Sequence, residues 1–353
     1  MRRHIYLVVT MKKLKPELFT NAAVAVSLLE KRLLSKENLE TILRADSFKQ
    51  VQTILLAAGY RHFPSQSVGQ MNIHNLLNAY LADFLEELLT LAPGLGAEFL
   101  DMLLLDFDMH NVQAALMQRK NGASIANHMI PVPQSRHGFY ARRLAQREPD
   151  ESYFAKLLDQ AEEQFADSPR TAQAWLDQEY YRQLLHLGKT SGIALFFVYA
   201  QTKVDFYNLL TVLRLRSLHA RSGDIPPATA VQMCETLMVA GGSLAADFPA
   251  GLFLLDSEGI GRALEDTKYR RVFREGLAHY SYENDSALVE KEMDNYLTAL
   301  VAAKRYTVMG PETLFGYLYA RRIETTNLRL ALAVRLQGLP EAAARERLRD
   351  LYV

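Results

Sequence analysis

Cysteine is nearly missing from this chain. Cys234 stands alone, which excludes an internal disulfide framework and a Cys-rich metal site and fits a reducing compartment. A single thiol in such a chain reads as a small core residue rather than a nucleophile. Net charge is missing too: 40 basic residues offset 40 acidic ones. No global field therefore draws nucleic acid or an anionic membrane, and any such contact must be a local patch. Long apolar runs are absent. SGIALFFVYAQT (191–202) is the nearest approach and stops well short of the ~20 residues of a membrane span. The opening IYLVV is shorter than a signal peptide's apolar region, with no small-residue cleavage site after it. These features predict a soluble chain.

Catalytic signatures are equally scarce. HLGKTSG (186–192) ends like a phosphate-binding loop, but Gln183 stands where that motif requires glycine, and a helical segment precedes it. It reads as a turn between helices. The histidines form no HExxH and no zinc-spaced pair, and His110 reads as a packed or surface residue. Asp106 and Asp108 lie two apart, which on a helix points them away from each other. No cofactor or metal site is expected.

What is present is helical spacing. LLSKENLETILRADSFKQVQTILLAAGY carries apolar residues at three- and four-residue steps. Ser47 and Gln50 have the spacing of a capping box, so a helix should start there. Strand alternation and Asn-Gly hairpins are nearly absent. The fold class expected is all-α.

One pattern recurs three times: DMHNVQAALMQR from Asp108, DFYNLLTVLRLR from Asp205, and ETTNLRLALAVR from Glu324. The acid precedes Asn111, Asn208 or Asn327 by three residues; Leu116, Leu213 or Leu332 follows the Asn by five, and Arg119, Arg216 or Arg335 by eight. Phe99, Phe196 and Phe315 each lie twelve residues before the Asn. Farther upstream, Asn78, Asp177 and Asp294 precede Tyr80, Tyr180 and Tyr296. TILLAAGYRHF and RALEDTKYRRVF match between the first and last copies only. The spacing predicts long helices at about 95–119, 191–216 and 311–337, each roughly 35–40 Å long, the third opening at Gly310 and Pro311. Repeats this far apart are domain-sized. Polar, Pro-bearing loops at 120–135 and 217–228 mark boundaries. Three tandem homologous helical domains are expected, at 1–130, 131–226 and 227–353.

On a helix the acid, Asn and Arg fall within about 60° of one line, a polar stripe beside the apolar face. Either these residues satisfy loops and neighbouring helices inside their own domain, or the Arg of one domain meets the acid of the next and closes a pseudo-three-fold ring. Two basic runs, RHGFYARRLAQR (136–147) and KYRRVFR (268–274), interleave Arg with aromatics. That pattern can bind single-stranded nucleic acid, but on amphipathic helices it reads first as a solvated face. An interaction protein is favoured over an enzyme. An unrelated helical scaffold or RNA-binding protein is the alternative.

The segment GPETLFGYLYARRIETTNLRLALAVRLQGLPEAAARERLRDLYV resembles the end of the C-type subunits of V-type ATPases, the family that includes the eukaryotic d-type subunits. The resemblance rests on Gly310–Glu312, Tyr317–Leu318, Glu324, Asn327–Arg329, Gly338–Glu341 and Arg345–Arg349, and extends over about residues 20–353. Arg321-Arg322 departs from it, relatives commonly carrying Lys-Glu there. The resemblance implies a triplicated, funnel-like, non-catalytic rotor subunit of a V-type rotary ATPase or ATP synthase, serving ion transport. It would be a peripheral socket on the cytoplasmic face, without a membrane span. Its implied partners are the D-type and F-type subunits of the central stalk and the proteolipid ring of the membrane sector, with no nucleic acid.

Overall fold

The computed structural model describes residues 17–45, 47–60, 73–91, 97–121, 129–130, 153–165, 168–222, 226–283, 286–307, 310–337 and 340–353. The side chain of Arg335 and the basic run at 136–147 lie outside that description. Among the described residues every regular element is a helix.

Capping chemistry sets where several helices begin. α1 (Glu17–Leu29) runs into a short 3₁₀ turn, and α2 (Lys36–Arg44) follows a full capping box in which Ser35 and Asn38 satisfy each other's backbone. At α3 (Phe48–Ala57) only half of the expected box forms. Ser47 accepts from the Gln50 amide at 3.4 Å, with no reciprocal bond from the Gln50 side chain. Then come α4 (Ile73–Leu91), the long α5 (Ala97–Asn121) and α6 (Tyr153–Phe165). Ser168 caps α7 (Pro169–Thr190), with Pro169 in the first turn where its missing N–H costs nothing.

The long α8 (Ala194–Ser222) outlasts its expected end at Arg216 and takes in part of the expected loop, because no Gly or Pro interrupts the chain until Gly223. The turn read from HLGKTSG is the three-residue link between α7 and α8. Gly188 lies one turn above it. A Cβ there would stand 2.9 Å from the Phe196 carbonyl oxygen, so glycine permits the close crossing of this helical hairpin. The chain continues through α9 (Pro227–Leu237), the single turn α10 (Phe248–Gly251), α11 (Ser257–Glu265), α12 (Arg270–Glu283) and α13 (Ala287–Ala302). It ends with the long α14 (Glu312–Gln337) and α15 (Glu341–Arg347). Pro311 sits immediately before α14, its carbonyl accepting from the Phe315 amide.

The packing order is cyclic. α5 packs on α7, α8 on α13, and α14 on α4, returning to the N-terminal helices. One apolar core includes Phe99, Phe196 and Phe315. A second binds α2, α3 and α4 to α14, joining Leu39, Ile42, Tyr80 and Phe84 to Leu328 and Leu332. Each fully buried Leu or Phe contributes about 1.5–3 kcal/mol, so these faces hold the helices at fixed crossings. Cys234 is buried, and burial with Glu235 nearby lifts its thiol to about 11, which keeps it a core residue.

Candidate functional site: the junction of the three long helices

The repeat asparagines do one identical thing. Each points its amide at a backbone segment downstream, donating to a carbonyl and accepting from the same residue's N–H. Asn111 clasps Ile130 at 2.8 and 2.9 Å, Asn208 clasps Val239 at 2.9 and 2.9 Å, and Asn327 clasps Arg349 at 2.9 and 2.8 Å. All three asparagines are buried. An amide reproduces both halves of a peptide group, so it satisfies two groups that would otherwise be buried unpaired.

The acids reach farther. Asp205 accepts from the backbone N–H of Ser243 and Leu244, from the Ser243 hydroxyl and from Tyr269. Glu324 accepts from the Leu34 N–H, from Tyr60 at 3.2 Å and from Arg321 at 2.8 Å. Tyr60 and Tyr269 are the tyrosines of the two matching GYRHF and KYRRVF segments, and each rests edge-on against another marked tyrosine, Tyr80 or Tyr296. Asp108 is likewise buried. Two of the repeat arginines have partners of other kinds. Arg119 pairs with Asp159 and Glu162 on α6, and Arg216 donates to the Leu252 and Phe253 carbonyls. Arg119 thus reaches the acidic helix that follows its own, and Arg216 reaches the buried turn that ends α10.

The three long helices meet through the phenylalanines twelve residues before each Asn. Phe196 stacks on Phe99 at 6.1 Å between centroids and packs at a tilt against Phe315 at 5.0 Å. Such pairs contribute about 0.5–1.5 kcal/mol beyond the area they bury. Two turns along the same faces, five residues before each Asn, stand Asp106, Lys203 and Arg322. Asp106 and Arg322 form an ion pair, and Tyr180 donates its hydroxyl to Asp106. Lys203 lies over the Tyr180 ring at 5.9 Å. Burial lowers the Lys203 pKa, an effect Asp294 partly offsets; burial raises Asp294, offset in turn by Arg349 and Lys203. A narrow cleft opens here, with room for little more than a water molecule, lined by residues of α5, α7, α8 and α14, among them Asp106, Tyr199, Tyr319 and Arg322. Arg322 is 41% exposed, so the charged pair forms the lip, with Phe107 and Phe315 among the apolar lining.

This charged level escaped the sequence pattern, although the signal was present: three residues at one offset, all ionisable, of mixed sign. The second basic run lies on or just before α12, where Arg270, Arg271 and Arg274 are exposed while Tyr269, Val272 and Phe273 are buried. That is a solvated helix face. Among the described residues no group of His, Cys, Asp and Glu could hold a metal ion, and no helix is long and apolar enough to cross a membrane. The arrangement fixes three long helices relative to one another, a mechanical task.

Comparison with known proteins agrees with this construction. A family model described as ATP synthase (C/AC39) subunit matches residues 22–347. The C subunit of the A-type ATP synthase of Methanosphaera stadtmanae is 20% identical over 367 aligned residues, covering 98% of this chain and 91% of that protein. Its namesake from Methanobrevibacter smithii is 26% identical over 211 residues, covering 56% of this chain and 52% of that protein. With nearly its whole length matched, and an all-helical fold tied through three equivalent long helices, the chain belongs to the ATP synthase (C/AC39) subunit family.

Proposed function

We propose that the chain is a non-catalytic subunit of the central rotor in an A/V-type rotary ATP synthase or ATPase. It acts as a socket coupling the central stalk, formed by D- and F-type subunits, to the proteolipid ring on the cytoplasmic face of the membrane sector. The observation that carries this reading is the convergence of three long helices on Phe99, Phe196 and Phe315 within a cyclic packing order. Torque passed between two partners needs a part that does not twist. Helices pinned at a common aromatic junction, with loop backbone clasped by Asn111, Asn208 and Asn327, supply that stiffness. In this reading the chain is three helical domains, at 1–130, 131–226 and 227–353, arranged about a pseudo-three-fold axis. The two relatives support it, both being C subunits of A-type ATP synthases.

The test is to mix the purified chain with a purified D–F stalk pair and measure the mass of the product by light scattering after size exclusion. A complex with one copy of each is the expected result, with no ATP hydrolysis by the chain alone. Failure to form the complex at micromolar concentration, or robust hydrolysis by the chain alone, would overturn the reading.

A further inference from the structure

We infer, on the three-domain division but independently of the rotor assignment, that the repeat acids couple the domains of this chain. Each holds the opening of the domain that follows in the cycle, and the last domain holds the first. The long helices establish the order: α5 packs on α7, α8 on α13 and α14 on α4. Those partner helices carry the corresponding pairs Asp177 and Tyr180, Asp294 and Tyr296, and Asn78 and Tyr80. Each long helix therefore lies against the same helix of the next domain, a head-to-tail contact that closes on itself.

The acids repeat that step at the level of single bonds. Asp205 reaches out of the second domain and accepts from the Ser243 N–H at 3.0 Å, the Leu244 N–H at 3.1 Å and the Tyr269 hydroxyl. Glu324 reaches out of the third domain and accepts from the Leu34 N–H and the Tyr60 hydroxyl. The two receiving segments are in register. Ser47 caps α3 thirteen residues after Leu34, and Asp256 caps α11 thirteen residues after Ser243. Tyr60 and Tyr269 each stand 26 residues after the bonded N–H. The asparagine clasps show how differently the two junctions are built. Val239, held by Asn208, lies four residues before Ser243 in one continuous loop, whereas Arg349, held by Asn327, lies 315 positions from Leu34. One junction is a single loop and the other is assembled from two distant segments, yet the same position of the repeat serves both. What it does there is satisfy a backbone N–H that the joint would otherwise bury unpaired, and so fix where the next domain begins. Asp108 is buried at the same position of the first long helix, and the cycle assigns it this role toward the second domain.

Hydrogen–deuterium exchange on the full-length chain tests the coupling without any partner subunit, so its outcome is separate from that of the stalk-binding experiment. For each variant, the rise in amide exchange in the following domain is divided by the rise in the acid's own domain. Glu324→Gln should loosen residues 36–57 more than 287–302, Asp205→Asn residues 257–283 more than 169–190, and Asp108→Asn residues 153–165 more than 73–91. The expected ratio is about tenfold in each case, the mark of a local rather than a global loss of protection. If Glu324→Gln leaves Arg321 too poorly compensated to fold, Arg321→Met/Glu324→Gln removes the acid with neither charge left unpaired and reports the same ratio. Ratios near one would show that the acids serve stability at large, and ratios below one that each serves its own domain; either result overturns the inference. A ratio near one for Asp108→Asn alone would break the cycle at its first junction and overturn it as well.

Discussion

Asp205 and Glu324 occupy the same place in the repeat and are buried by opposite means. Among the described residues Asp205 takes its hydrogen bonds from neutral donors, two backbone N–H groups, the Ser243 hydroxyl and Tyr269, with the Lys268 ammonium nearby but not bonded to it. Glu324 has one backbone N–H, one tyrosine and a guanidinium. The first site depends on backbone coming very close. A Cβ on Gly242 would fall 2.1 Å from an Asp205 oxygen, so only glycine lets that loop wrap the carboxylate. At the second site Arg321 supplies charge. Burial opposes its ionisation, but Glu324 together with Tyr317 and Tyr60 outweighs burial and holds the guanidinium above its ordinary value. One architecture thus accepts two electrostatic solutions, and they should fail differently.

The largest expected effect separates them directly. Glu324→Gln leaves a buried guanidinium without its counter-ion, which should cost about 3–5 kcal/mol. Asp205→Asn strands no opposite charge and weakens the hydrogen bonds of one acceptor, a loss of about 1–3 kcal/mol. Urea unfolding of both variants checks the gap. Equal losses would erase the distinction between the sites. Next comes Gly242→Ala, which forces the added methyl into the Asp205 carboxylate at a cost of about 1–3 kcal/mol; a thermal melt reads it. Adding Asp205→Ala should recover part of that loss, because the obstructing atoms are then gone.

The asparagine clasps should be indifferent to which acid solution lies beside them. Asn208→Ala and Asn327→Ala each strand a backbone N–H and carbonyl, and each should cost about 2 kcal/mol. Because their clasps share no partner, the double variant should be additive within about 0.5 kcal/mol. Strong non-additivity in urea unfolding would mean that the clasps are coupled through the helices.

The all-helical fold and the three long helices were legible because apolar spacing is a local property, written every three or four residues. Helix ends were less so: α8 ran on to Ser222 where polar residues suggested a loop, since polarity alone does not stop a helix. The asparagines were legible as positions but not as clasps. Their partners lie 19, 31 and 22 residues downstream, in loops that share no sequence. The match between Tyr60 and Tyr269 was visible, yet its meaning depended on tertiary contacts with acids on other helices. The level of Asp106, Lys203 and Arg322 was hidden by a different cause. Searching for identical residues misses a position kept ionisable while its sign changes, and only the meeting of the helices shows that Asp106 and Arg322 pair across them.

The smallest expected effect sets a third cation against Arg321. Lys203 lies near the acid Asp294, but among the described residues no close ion pair compensates its burial as Glu324 compensates Arg321, and its pKa is lowered accordingly. The folded chain therefore releases the Lys203 proton at a lower pH than the unfolded chain does. Between that lowered value and the ordinary lysine value the unfolded state binds more protons, so stability should rise with pH across this window. Replacing the lysine with an apolar residue of similar length removes both the desolvated charge and its titration. Lys203→Met should therefore change stability at neutral pH by less than about 1 kcal/mol, in contrast to Arg321→Met. It should also remove the Lys203 contribution to the alkaline rise. Urea midpoints of wild type and variant, followed from neutral to alkaline pH, read both effects. A Lys203→Met loss as large as that of Arg321→Met would mean that Asp294 holds Lys203 as tightly as Glu324 holds Arg321, and the distinction between closely paired and loosely compensated buried cations in this fold would fall.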